Sequence, residues 1–307
     1  SNSLIADYFR LEGRATALSV YALGVPLGGM IGSLLGGWGN ELLGWRATFI
    51  LMGLPGIAVA LLVRFTVREP VRGCSDTRIT AATHAAAPEF LTSLKFLWSR
   101  RAFRNLSLAA ALHSAVWYAG SSFNANILIR SHHMTSGQAG SWLAALAAIG
   151  TVGTFLGGYL ADRMSVQRND RRWYMWLPAW ATLLAVPFQF VAYLAADRGV
   201  VFVAFAIMTV LASFFFGPSF AMTQGLATLR MRTMAAAILL FIQNLIGLGL
   251  GPLLTGILSD RLKPALATES LRWSIVIVGL LNIWAAAHYF WAARTLREDL
   301  AATERLA

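Results

Sequence analysis

The sequence predicts an all-α integral membrane protein, and three observations lead there. Of its 307 residues 57% are hydrophobic and only 13% charged, about half the charged share of a soluble domain. The apolar residues gather into eight stretches of about the twenty residues that a helix needs to cross hydrocarbon. The interiors of these stretches carry no Asp, Glu, Lys or Arg, so the charges occupy the connections. Barrel strands would be shorter and alternating, so helices are the reading.

The eight segments run from Ala15 to Trp38, Arg46 to Val63, Leu106 to Ile129, Ala139 to Ala161, Trp173 to Ala195, Val200 to Leu229, Met234 to Leu258, and Trp273 to Ala293. If the sides alternate from Arg14 onward, 19 of the 25 Lys and Arg fall on one side, among them Arg64, Arg100, Arg163, Arg232 and Arg297. The other side receives Arg46, Arg130, Arg198, Arg261, Lys263 and Arg272. Such a bias makes the first side cytoplasmic and places the C-terminus there. It also accounts for the net charge of +11 without a nucleic acid.

The connection from Arg64 to Arg104 is long and polar. Within it Phe90, Leu91, Leu94, Leu97 and Trp98 recur at helical spacing beside Lys95. This predicts a short helix, lying on the inner membrane surface or packed on the other loops on that side. One cysteine, Cys74, allows no internal disulfide, and no Cys/His spacing suits a metal, so no cofactor is expected.

The first and last span pairs resemble each other. Gly28, Gly32 and Gly37 align with Gly247, Gly251 and Gly256 at an offset of 219, and Arg46 and Gly53 with Arg272 and Gly279 at 226. Such duplication is common in transporters. On this reading residues 1–66 end one half of a duplicated bundle. Residues 67–102 join the halves, 103–293 form a six-helix half, and 294–307 are a cytoplasmic tail. The opening SNSLIADYF, with no Met, reads as the last turns of an earlier span, which makes the chain N-terminally truncated.

Gly158, Leu160, Ala161, Asp162, Arg163 and Arg168 resemble the loop motif of the major facilitator superfamily, with Ser165 where that family has Gly. The resemblance implies a conformational role for this end: the acid caps a neighbouring helix and the basic residues brace the outward-open state, as a carboxylate at a helix N-terminus would. Ser3 to Phe9, including Asp7, then Arg14, Tyr21, Gly24, Pro26 and Gly28 look like the spinster-like branch. That branch implies alternating access with a sphingolipid or lysolipid substrate and proton coupling. The coupling acids of the family lie in its first and fourth helices, upstream of the spans found here.

Several residues are candidates for a substrate cavity. Between Leu106 and Ile129, His113, Trp117 and Asn124 fall near one face of a helix rich in polar groups, where Gly120 could support a kink. Gln243 and Asn244 are adjacent, so one can face the cavity while the other bonds a helix. Tyr21, Gln189 and Phe216 complete the set. Any of the polar ones could instead link helices. Gly28, Gly32, Gly247 and Gly251 are expected to permit close helix packing.

The sequence thus points to a monomeric secondary transporter of a bacterial inner membrane, for a small amphiphilic or lipid-like substrate. The alternatives are an organic anion, sugar acid or drug carrier of the same superfamily, and a non-transporting receptor or inert gene fragment. An intramembrane enzyme is disfavoured, because His113 and Ser114 have no carboxylate beside them.

Overall fold

The structure is a computed structural model that describes residues 11–66 and 90–305, where helix is the only regular structure. The helices are α1 (Leu11–Thr66), α2 (Phe90–Ser99), α3 (Arg101–His132), α4 (Ser136–Gln167), α5 (Trp173–Leu194), α6 (Arg198–Ser213) and α7 (Phe216–Gly225). They continue with α8 (Arg232–Ile242), α9 (Gly249–Leu266), α10 (Ser270–Gly279) and α11 (Leu281–Glu304). Each of the eight expected segments lies largely within these helices. Asp7 and the side chain of Tyr21 lie outside the described residues.

Local chemistry explains the breaks. In α1 the helix is interrupted at Gly44, whose φ of 77° and ψ of 162° suit a residue without Cβ. Between α6 and α7 the chain leaves the helix at Phe214 and Phe215, because Pro218 cannot donate a hydrogen bond four residues back. Ala267, at φ 47°, ends α9. The run from Arg232 to Glu304 is thereby divided into two arms, each long enough to cross. Of the long helices, α3 is the one too polar to qualify by hydropathy alone, yet at 32 residues it is about 48 Å long.

Two compact units result. The first comprises α1 together with residues 135–148 at the start of α4. Its crossing is made by small residues: a Cβ on Gly37 would lie 2.5 Å from the Ser136 carbonyl oxygen. Beside it the Trp38 indole N–H donates to Ser141 Oγ at 2.9 Å, and the Gly137 N–H donates to Glu41 Oε2 at 2.7 Å. Glu41 thus satisfies one of the free N–H groups that open α4. Gly28 and Gly32, expected to pack helices, have nothing among the described residues within 4 Å of where a Cβ would stand. The close contact of this pair of spans lies lower, at Gly37. Elsewhere α1 exposes large apolar side chains such as Phe49 and Phe65, as a lipid-facing helix does.

The second unit is a bundle around α3, which packs on α11, α9 and the turn of helix before α9. Here Gly247 and Gly251 lie against the backbone of α3. A Cβ on Gly247 would meet Ser114 Cβ at 2.7 Å, and one on Gly251 would collide with the Ala115 carbonyl. The core is fullest near Phe103, Leu106, Met175, Leu226, Ile238, Leu239 and Tyr289. Residues 294–304, set apart above as a tail, continue α11 and bury Leu296, Leu300 and Thr303. α2 does not lie free either: Leu97 and Ser93 are buried, and the helix rests on α3 and α8. The charged pair Glu269 and Arg272 is more than a loop contact, since Arg272 is buried and donates to the carbonyls of Tyr193 and Ala195 that end α5.

Candidate substrate site

The polar residues of α3 divide into those that face helices and those that face outward. His113 is buried, with Nε2 2.9 Å from the Ala212 carbonyl oxygen and Nδ1 3.0 Å from Asn282 Oδ1. A carbonyl can only accept, so Nε2 carries the proton and Nδ1 accepts, from the Asn282 amide turned over or from the Thr182 hydroxyl 3.5 Å away. His113 therefore joins α3 to α6 and α11, and the cavity role expected of it is replaced by this one. Gln189 is likewise enclosed, donating to the Ile275 carbonyl at 3.2 Å. Gly279 makes room for it, since a Cβ there would fall 1.3 Å from Gln189 Nε2. The aromatic face of Phe215 covers His113 at 4.5 Å.

One turn and more along α3 the groups turn outward. Trp117 is 46% exposed, and the Tyr118 hydroxyl donates to Asn244 Oδ1 at 2.8 Å. Asn124, partly buried, accepts from the Tyr193 hydroxyl at 2.8 Å. Phe216 is half-exposed and packs on Phe215 and Phe220. Hydrogen-bonding groups are costly against lipid, so this strip of hydroxyl and amide groups belongs beside water or a polar ligand.

Facing the strip, Gln243–Leu248 form a π-helical segment between α8 and α9. It widens the turn at the adjacent amides. Asn244 points outward to Tyr118 and also donates to the Leu240 carbonyl at 2.8 Å. Gln243 is buried, and its Nε2 has no hydrogen-bond partner among the described residues. The sequence suggested that one of the two would face the cavity and the other bond a helix; in the structure the exposed one, Asn244, bonds both α3 and its own helix, and Gln243 is buried. Meanwhile α3 runs unbroken through Gly120, and the irregular turn lies on the opposite helix. Such π segments often mark functional sites. The one signal for it in the sequence is Gly247 and Gly249 following two amides, which was too weak to read.

At the Gln167 end of α4 the charged residues of the motif are exposed, while Ala161 is buried. Asp162 Oδ1 accepts from the Tyr174 hydroxyl at 2.5 Å, Arg163 donates to the Tyr159 hydroxyl at 3.0 Å, and Arg168 is solvent-facing. Asp162 thus holds a hydroxyl of the first turn of α5 where a backbone cap was expected. Gly158 lies alongside Gly217. The buried acid of this corner is Asp170, paired with Arg172 at 2.9 Å and Arg297 at 2.8 Å. Burial pushes its carboxyl up, but hydrogen bonds from the Arg172 side chain and backbone and from Arg297 outweigh this and hold it below the usual carboxylate range. Sequence reasoning passed over Asp170 and Glu41, both ordinary connection residues in composition.

Among the described residues no group of His, Cys, Asp and Glu could hold a metal. A sequence model of the Major Facilitator Superfamily matches residues 1–169 and again 106–306. An "MFS-type efflux pump" of Mycolicibacterium smegmatis is 28% identical over 98% of this chain and 68% of its own length. A "Cis,cis-muconate transport protein" of Acinetobacter baylyi is 24% identical over 53% of this chain and 40% of its own. Among solved structures, a bacterial homologue of the human lysosomal transporter Spinster, inward-facing and unoccupied, superposes with a TM-score of 0.87 at 29% identity, over 97% of this chain and 74% of that one. Its occupied inward-facing form gives 0.80 at 30% identity, over the same shares of the two chains. The chain belongs to the major facilitator superfamily, in its spinster-like branch, and is a multi-pass membrane transporter rather than an enzyme.

Proposed function

We propose that this transporter moves a small amphiphilic or lipid-like substrate by alternating access, coupled to protons. The substrate would lie against the strip of Trp117, Tyr118, Asn124 and Asn244. The observation that carries this is the π-helical turn, which presents Asn244 to Tyr118 and leaves Gln243 Nε2 buried and free to donate. Neutral amides and hydroxyls beside exposed aromatic rings suit a ligand with a long apolar part and a few polar groups. That substrate class is the one implied by the resemblance to the spinster-like branch. A dicarboxylate such as muconate, suggested by the second relative, would require a cation at the strip, and none of the expected span interiors contains Lys or Arg.

Proton coupling in this reading falls to carboxylates outside the eight spans, whose interiors hold no acid. The Gln167 end of α4 is cytoplasmic, following the bias of basic residues, in a bacterial inner membrane, and the protein works as a monomer. Residues 1–66 belong to one half and 103–293 form the other, so in this reading the crossing of α1 with the Ser136 end of α4 joins the halves and must part when the site opens on the side opposite the Gln167 end.

Uptake into proteoliposomes of a lysolipid, with cis,cis-muconate as competitor, tests this with and without an imposed pH gradient. The expected result is lysolipid movement that needs the gradient and falls severalfold in Asn244→Leu. Muconate movement alone would overturn the substrate class, and lysolipid movement without a gradient would overturn the coupling.

A further inference from the structure

The sequence placed a short amphipathic helix at α2, to which the proposed function gives no role. Its contacts bury Leu97 and Ser93, yet Phe90, Leu91 and Trp98 stay exposed. Between α2 and α8 runs an open groove of about 610 Å³, walled by Phe90, Leu94, Trp98, Ile238 and Phe241, with Lys95 among its lining. That volume is of ligand-binding size. The walls are almost wholly apolar, and Phe241 opposite α2 is 57% exposed. Water would be a poor occupant of such a groove.

Charge says what kind of apolar ligand fits. Among the described residues no hydrogen-bond acceptor or acid pairs with Lys95, and α2 itself contains no Asp or Glu. Arg100 lies over the Phe96 ring at 4.9 Å, and Arg101 is exposed beside it. An unpaired ammonium at the edge of an apolar groove, on a helix with a half-exposed Trp, matches the boundary between headgroups and acyl chains. It is complementary to a phosphodiester that carries a hydrocarbon tail.

We propose that the α2–α8 groove is an anionic phospholipid site, with an acyl chain along Leu94, Ile238 and Phe241 and the phosphate on Lys95. In the membrane this rests on the cytoplasmic placement proposed above, since the leaflet there must supply the lipid. In detergent both ends of the protein are accessible, so binding can be tested without that placement.

Native mass spectrometry of the full chain, titrated with dioleoylphosphatidylglycerol or dioleoylphosphatidylcholine, reads the site directly. One Lys near a lipid phosphate favours the anionic lipid by about fivefold. The wild type is expected to show that preference for its first bound lipid, Lys95→Gln to lose it, and Lys95→Arg to keep it. Lys95 is exposed, so none of these variants threatens the fold. Equal binding of the two lipids, retention of neither, or an unchanged preference in Lys95→Gln would each overturn the proposal. So would competition by glycerol 3-phosphate as strong as by the lipid, which would make the site one for a soluble phosphate.

Discussion

The two ends of α4 are held by different means. At the Ser136 end a carboxylate from α1, Glu41, closes the helix by taking the Gly137 N–H, and Gly37 brings the two backbones together. At the Gln167 end the acid singled out by the family motif, Asp162, stays exposed and holds one tyrosine hydroxyl. The anchoring acid there is Asp170, eight residues on, which binds Arg172 and the α11 residue Arg297. Anchors form where buried or unpaired groups must be satisfied, whereas an exposed acid with a single partner can exchange it at small cost. A residue that must change partners during a transport cycle belongs to the second kind.

The largest effect should come from Asp170→Ala. It strands Arg172 and Arg297 and frees the Arg172 N–H, but both guanidinium groups are partly solvated, so the loss is discounted to about 2 kcal/mol. Thermal unfolding in detergent should show it, with Asp170→Asn in between. The pH dependence has a defined sign. Because the folded carboxyl titrates below its ordinary value of 3.8, its contribution is complete above that value and is lost as pH falls through the folded one. Wild type and Asp170→Ala should therefore begin to converge in stability as pH falls below about 4 and meet only below the folded value. A gap that persists there would remove the carboxylate from the explanation.

At the other end Glu41→Ala should act on conformation more than on stability. A helix cap is worth about 1 kcal/mol, or about fivefold in an equilibrium constant. Spin labels on the exposed positions Leu42 and Ala145, with Cys74 replaced by Ser, would report the α1–α4 distance. The population with the helices apart should rise about fivefold in Glu41→Ala, and less in Glu41→Gln, which keeps an acceptor oxygen. Unchanged distances would reduce Glu41 to an ordinary surface acid.

The contrast also shows what the sequence could and could not disclose. Hydropathy and the sidedness of arginine suffice for the helices, because the bilayer imposes length and apolarity on each span separately. The packing glycines Gly247 and Gly251 were legible for a related reason, as small residues at a spacing of four share one helix face. Gly28 and Gly32 share that spacing and pack on nothing described, since the pattern gives a face but not a neighbour. His113 and Gln189 look like cavity residues in one dimension, and only the three-dimensional partners Ala212, Asn282 and Ile275 assign them to the interior. Glu41 and Asp170 escaped because an acid in a connection has the same composition whether it caps a helix or faces water. The π turn escaped because two amides followed by glycines also occur in ordinary helices, and a helical repeat does not announce one extra residue.

The smallest effect on stability, and the sharpest test of the contrast, is Asp162→Asn. The side chain is exposed and loses only the charge on its bond with the Tyr174 hydroxyl, so unfolding should change by less than about 0.5 kcal/mol. If this corner exchanges partners during transport, the rate in proteoliposomes should nevertheless fall severalfold, while Asp162→Glu, which keeps the charge, retains most of it. Arg163 is subject to the same logic, since its one contact among the described residues is the Tyr159 hydroxyl within its own helix. Full activity in Asp162→Asn would mean that exposure here is mere solvation, and the conformational role would then pass to the end of α4 that Glu41 holds.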